Sequence, residues 1–89
     1  MIEQKVTIIN RLGLHARAAA KLVDCAARFS CRIDLLKQGN AVDAKSIMSV
    51  MMLAAGQGTE LTLKITGEDE QAALEALVTL IADRFGEPD

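Results

Sequence analysis

Each stretch of this chain that alternates like a β-strand is apolar on one side only. In "IEQKVTII", residues 2–9, Ile2, Val6 and Ile8 fall on one side and Glu3, Lys5 and Thr7 on the other. Ile33 and Leu35 mark one face of residues 31–37, and Leu61, Leu63 and Ile65 do the same in "ELTLKIT". Between the second and third strands, "KQGN" supplies a Gly-containing turn into "AVDA", which predicts a hairpin. A sheet with one apolar face is mainly antiparallel, packs its helices on that face and leaves the other in water.

Helical spacing supplies the cover. From Ala16 to Phe29 the apolar positions Ala18, Leu22, Cys25, Ala26 and Phe29 recur with helical period, flanked by Arg17, Lys21, Asp24 and Arg28. Ser46 is placed to cap a short helix, "IMSVMMLA", which "AGQG" ends. A last helix opens at Asp69 and turns Ala73, Leu77, Leu80 and Ile81 to one side before Gly86 and Pro88 stop it. The order is β-α-β-β-α-β-α, an α/β protein of the α+β type. It is expected to form an open-faced sandwich, a four-stranded, mainly antiparallel sheet covered on one face by three helices.

At 89 residues the chain is expected to form a single domain, residues 1–89, with one modest core. Only 2% of residues are aromatic, so that core is built from Leu, Ile, Val, Met and Ala. A net charge of -2 and no aromatic stacking platform argue against nucleic acid as partner. No apolar run reaches the roughly 18 residues of a spanning helix, and "MIEQKVTIIN" lacks the pattern of a secretory signal, so a cytoplasmic protein with no membrane insertion is expected. Cys25 and Cys31 fit neither a C-x-x-C pair nor a zinc site and read as buried, reduced thiols. Neither metal nor cofactor is implied. "GNAVDAKS", residues 39–46, nearly spells a phosphate loop but fails at Ala44, where a Cβ replaces the glycine that the loop needs. An open-faced fold also offers no deep pocket, so any chemistry belongs at a helix end or on an exposed face.

The one histidine of the chain, His15, stands at such an end, in "NRLGLHARAAAK". Gly13 lets the chain turn sharply into the helix, leaving the imidazole beside the unpaired amides of Ala16 and Arg17. A helix N-terminus favours an anion, and the Arg17 guanidinium adds a charged fork suited to phosphate oxygens. The same positive field disfavours an imidazolium and favours a neutral, nucleophilic ring. No carboxylate or Ser/Cys nucleophile stands nearby to make His15 the base of a hydrolytic triad. These features weaken the reading of His15 as a surface or capping residue, and a nucleophile that accepts phosphate and hands it on fits better than a base.

"GLHARAAAKLV", followed about thirty residues later by "AKSIMSVMML", resembles HPr, the histidine phosphocarrier of the bacterial phosphoenolpyruvate-dependent phosphotransferase system, over essentially the whole chain. The resemblance implies a carrier protein, not an enzyme. His15 would be phosphorylated on Nδ1 by phosphoenolpyruvate-charged enzyme I, Arg17 would steady the phosphoryl group, and a histidine of a IIA protein would receive it. HPr proteins usually have proline just after that arginine; here the position is Ala18, an excellent helix former that leaves the phosphate-facing amides in place. Leu12, where sugar-type HPr tends to have Asn or Ser, and the "FGEPD" tail look closer to NPr, the nitrogen-related branch, with sugar-transport HPr second.

Ser46 has two readings, an N-cap and, by resemblance, the regulatory site modified by HPr kinase/phosphorylase. Helical spacing cannot bury Ile47, Met48, Met51 and Met52 together, so some of this cluster should be exposed, and flexible methionines suit partners of different shape. By resemblance, the short helix and Ala16, Arg17 and Ala20 of the first helix form one docking surface for enzyme I and the IIA protein. The chain is expected to be a monomer. The competing reading is a binding-only regulator switched at Ser46, with His15 idle.

Overall fold

The computed structural model describes residues 1–88; Asp89, the last letter of "FGEPD", lies outside the described residues. The strands are β1 (Ile2–Thr7), β2 (Arg32–Lys37), β3 (Asn40–Asp43) and β4 (Glu60–Thr66), and the helices α1 (Ala16–Ala27), α2 (Ile47–Met52) and α3 (Glu70–Ala82). They form one four-stranded sheet in the order β1-β4-β2-β3. All its pairings are antiparallel, so the sheet is not merely mainly so.

Register follows the apolar pattern. Ile65 lies between Ile2 and Ile33, and Leu63 between Gln4 and Leu35, so the buried residues of neighbouring strands stack on one face. Each fully buried Leu or Ile there contributes about 1.5–3 kcal/mol, and a one-residue slip would turn the whole set to water. On the outer face Lys64 lies between Glu3 and Asp34, opposite charges across the ladder. Gln38 and Gly39, both with positive φ, make the tight turn from β2 to β3 expected from "KQGN".

α1 and α3 pack together, α3 lies against β1 and β4, and α2 lies against α1 and β3. α1 buries Ala18, Ala19, Leu22, Cys25 and Ala26. Ala18 is fully buried, so its methyl group is a packing atom of the first turn as well as a helix former. The helix is shorter than the expected span, stopping at Ala27, and Phe29 is only half-buried beyond it. In α3, Ala73, Leu77 and Ile81 are buried while Leu80 sits at the margin. The Asp69 carboxylate does not cap α3. It accepts from the amides of Ser30 (2.8 Å) and Cys31 (3.0 Å), tying the start of β2 to the start of α3. Both thiols are free and buried, and burial pushes each up from its ordinary pKa.

Two helix ends differ from the sequence expectation. The reversal after α2 falls on Ala54, at φ 52°, ahead of "AGQG", and Lys37 Nζ satisfies the Leu53 carbonyl left open there (2.8 Å). α3 is stopped by a turn of three left-handed residues, Arg84 (φ 55°), Phe85 (φ 55°) and Gly86 (φ 77°), not by Gly86 and Pro88 alone. Each non-glycine in that region costs roughly 1–2 kcal/mol, offset here because Phe85 becomes a fully buried core side chain.

Candidate functional site

After β1 the chain does not simply loop over the surface. Ile8 and Asn10 turn inward and are fully buried. The Gly13 amide donates to the Asn10 carbonyl (3.1 Å), and the Leu14 amide to the Ala55 carbonyl (2.8 Å). Gly13 takes φ 68° against the backbone of Ala55 and Gly56, the sharp turn that the sequence requires. Extended backbone at His15 (φ -74°, ψ 178°) then delivers the chain into α1. His15 occupies the N-cap position, but its side chain makes no capping bond. A capping role for the His15 side chain is thereby removed.

What the ring does instead was not legible in the sequence. His15 Nε2 makes a hydrogen bond to Glu87 Oε2, and the other carboxylate oxygen, Oε1, accepts from Asn10 Nδ2 at 2.9 Å. The expectation that no carboxylate stands near His15 is therefore wrong, because the turn after α3 carries one across 72 positions of sequence. Lys21 Nζ, in α1, donates to the Phe85 carbonyl at 2.6 Å and pins that turn beside the helix start. The Asn10 amide, then the His15 ring, hold the Glu87 carboxyl below the usual glutamate range. Asn10, Lys21, Phe85 and Glu87 were all missed; the one local signal was a charged residue framed by turn formers in "GEP".

Among the described residues that line the site there is no Ser or Cys for His15 and the carboxylate to activate. Arg11, Leu12, His15, Ala16, Arg17, Glu87 and Pro88 line a shallow hollow of about 500 Å³. Arg11, Arg17 and the start of α1, whose first amides have no acceptor within the helix, thus border the same space as His15. Such a hollow suits a small, multiply charged anion held close to a ring nitrogen. Among the described residues no cluster of side chains is arranged to hold a metal ion.

The other sequence-predicted positions lie apart from the hollow. Ser46 is the N-cap of α2, its hydroxyl accepting from the Ser49 amide at 3.4 Å. Ile47, Met48, Met51 and Met52 are all exposed, at 40%, 70%, 41% and 81%, because Val50 and Leu53 bury the helix alone. None of the four is core. Ala16 and Arg17 are exposed and Ala20 half-buried on α1, the helix against which α2 packs.

An open-faced α+β sandwich with a single histidine at the start of its first helix defines a small carrier surface, not an enclosed active site. Residues 2–83 match the family described as "PTS HPr component phosphorylation site". The chain is 56% identical to the phosphocarrier protein HPr of Cupriavidus necator, over 98% of both chains. It is 57% identical to that of Pseudomonas aeruginosa over 93% of both. The crystal structure of HPr-C-His from Thermoanaerobacter tengcongensis superposes with a TM-score of 0.97 at 45% identity, covering 100% of each chain. A structure titled as an HPr dimer from the same organism has a TM-score of 0.79 at 46% identity, over 98% of this chain and 100% of that one. The chain belongs to the HPr family of the phosphotransferase system, whose members are phosphocarriers and not catalytic enzymes. Among the described residues no helix is long and apolar enough to cross a membrane.

Proposed function

We propose that His15 accepts a phosphoryl group on Nδ1 from phosphoenolpyruvate-charged enzyme I and passes it to a histidine of a IIA protein, in the nitrogen-related branch of the system. The observation that carries this reading is the position of His15: at a helix start, uncommitted to capping, in a hollow shared with Arg17. The Nδ1 lone pair attacks phosphorus as the P–N bond to the donor's histidine breaks. Charge spreads over the phosphoryl oxygens in that transition state. The amides of Ala16 and Arg17 and the Arg17 guanidinium stabilise it. The second transfer runs the same chemistry outward.

Ile47, Met48 and Met51 of α2, with Ala16, Arg17 and Ala20, are the surface on which both partners dock in turn. Ser46 is the site at which HPr kinase/phosphorylase would add a second phosphate. That group, at about -1.5 to -2 charge, would stand beside the docking surface. Leu12, 61% exposed at the rim of the hollow, supports the nitrogen-related branch. The plain HPr names of the relatives favour sugar transport as the second reading. The protein works as a cytoplasmic monomer, which sizing in solution checks against the dimer seen in a relative.

Incubation with phosphoenolpyruvate, magnesium and enzyme I tests the carrier role. The expected product is one acid-labile, base-stable phosphate that is lost in His15→Ala. Arg17→Ala slows transfer and shortens the lifetime of the adduct. No phosphate on the intact chain would leave the binding-only regulator, with its methionine surface, as the surviving reading. Transfer onward to a nitrogen-type against a sugar-type IIA protein decides the branch.

A further inference from the structure

We propose that Glu87, aimed by Asn10, decides which ring nitrogen of His15 takes the phosphoryl group, by occupying Nε2 and leaving Nδ1 as the nucleophile. This rests on the carrier reading of His15 above, and it adds two positioning residues to it. An ionised carboxylate is a hydrogen-bond acceptor only, so Nε2 must carry the ring proton as donor to Glu87 Oε2. A neutral imidazole has one lone pair available in the ring plane, and with Nε2 protonated that pair is on Nδ1. Attack at Nε2 would require this hydrogen bond to be broken and a phosphoryl dianion brought against a carboxylate.

The carboxylate is held for this purpose from several sides. Asn10 is fully buried, and its Nδ2 donates to both the Gly13 carbonyl (2.8 Å) and Glu87 Oε1 (2.9 Å). The reverse orientation of the amide would set its oxygen against two acceptors, so the orientation is forced. Asn10 Oδ1 is left buried without a partner. An unpartnered buried oxygen is unfavourable, and the position of Glu87 is what the amide gains in return. The turn Arg84–Gly86 adds a second constraint: left-handed backbone at two non-glycine residues, a buried Phe85 side chain and the Lys21 bond to the Phe85 carbonyl. Strain of this kind persists where surrounding packing over-determines it.

The charge balance also favours the adduct. When Nδ1 bonds to phosphorus, the donor's P–N bond breaks with its electron pair. The ring then holds a phosphoryl group on Nδ1 and a proton on Nε2, with a formal positive charge between them. Glu87 faces that charge across the Nε2–H bond, while Arg11 and Arg17 line the same hollow and Lys21 acts on Glu87 from α1. Its carboxyl is held below the ordinary glutamate range by Asn10 and His15, which keeps it ionised at neutral pH.

Potassium phosphoramidate, a small donor that needs no docking surface, tests the assignment directly. It reacts as the Nδ1 pair displaces ammonia from phosphorus. The full chain, Glu87→Ala, Glu87→Gln and Asn10→Ala are treated alike, and phosphorus and ring-nitrogen NMR report which nitrogen carries the group. The intact protein is expected to be modified on Nδ1. In Glu87→Ala the Nδ1 to Nε2 product ratio should fall about tenfold or more, the loss of one charge-assisted hydrogen bond. Glu87→Gln keeps an acceptor oxygen and should stay closer to the intact protein. With enzyme I as donor, Glu87→Ala should lower kcat with KM unchanged, because the docking surface is untouched. An unaltered product ratio in a folded Glu87→Ala would overturn the proposal. So would ring-nitrogen shifts of the unmodified protein showing both tautomers equally. Should enzyme I fail to charge even the intact chain, the carrier role fails, while the nitrogen assignment is still read from phosphoramidate.

Discussion

Gly13 lies directly against Ala55: a Cβ built on the glycine would stand 2.6 Å from the Ala55 carbonyl oxygen and 2.7 Å from the Cα of Gly56. The obstruction is backbone on both counts, so nothing flexible can move aside. Gly13→Ala combines that clash with a left-handed φ, and is expected to destabilise the fold by about 1–3 kcal/mol. Urea unfolding checks this; a midpoint within error of the parent would mean that the loop before α1 is softer than its hydrogen bonds indicate.

Phe85 joins the end of the chain's core to the hollow. It is fully buried, so Phe85→Ala should cost about 3–5 kcal/mol by thermal or urea unfolding. It should also release Glu87 from His15, since the buried ring is what holds the left-handed turn. Loss of the hydrogen-bonded Nε2–H signal of His15 under conditions where the variant remains folded is the expected mark. A variant that kept that signal would show that Asn10 alone suffices to hold the carboxylate.

Met48, 70% exposed on α2, tests the docking surface without touching the core. Met48→Glu should change stability by no more than about 0.5 kcal/mol and slow phosphoryl transfer both from enzyme I and to the IIA protein. Unchanged kinetics in both directions would remove this patch from the proposed mechanism.

Acid should loosen one particular seam. Asp69, held low chiefly by the Ser30 amide with the Cys31 thiol and amide adding to it, and Glu70, held low chiefly by the Gly67 amide, both bind protons less readily when folded. Their contribution is therefore complete above the ordinary values of 3.8 and 4.5 and is lost as pH falls through the lower folded values. Unfolding free energy should fall on acidification below about pH 5, and Asp69→Asn should flatten that slope. An equally steep slope in the variant would place the acid-sensitive groups elsewhere.

Strand faces and helix faces were readable because they are local. Period-two alternation in β1 and β4 and the helical stripe of α1 each specify which side is apolar, whatever the rest of the chain does. The same local chemistry placed His15 after a turn-making glycine and Arg17 within the first helical turn, and it gave Ser46 its cap. Position along the chain says much less about ends under packing constraint. Ala54, Arg84 and Phe85 take left-handed backbone that their side chains disfavour, and of the three only Phe85 is buried, where packing in the core offsets the local cost. Glu87 is the clearest case. Its charge was visible in the sequence, but its partner depends on how α3 packs against α1, how Phe85 fills the core and how Asn10 turns inward, and only the folded chain brings those three together.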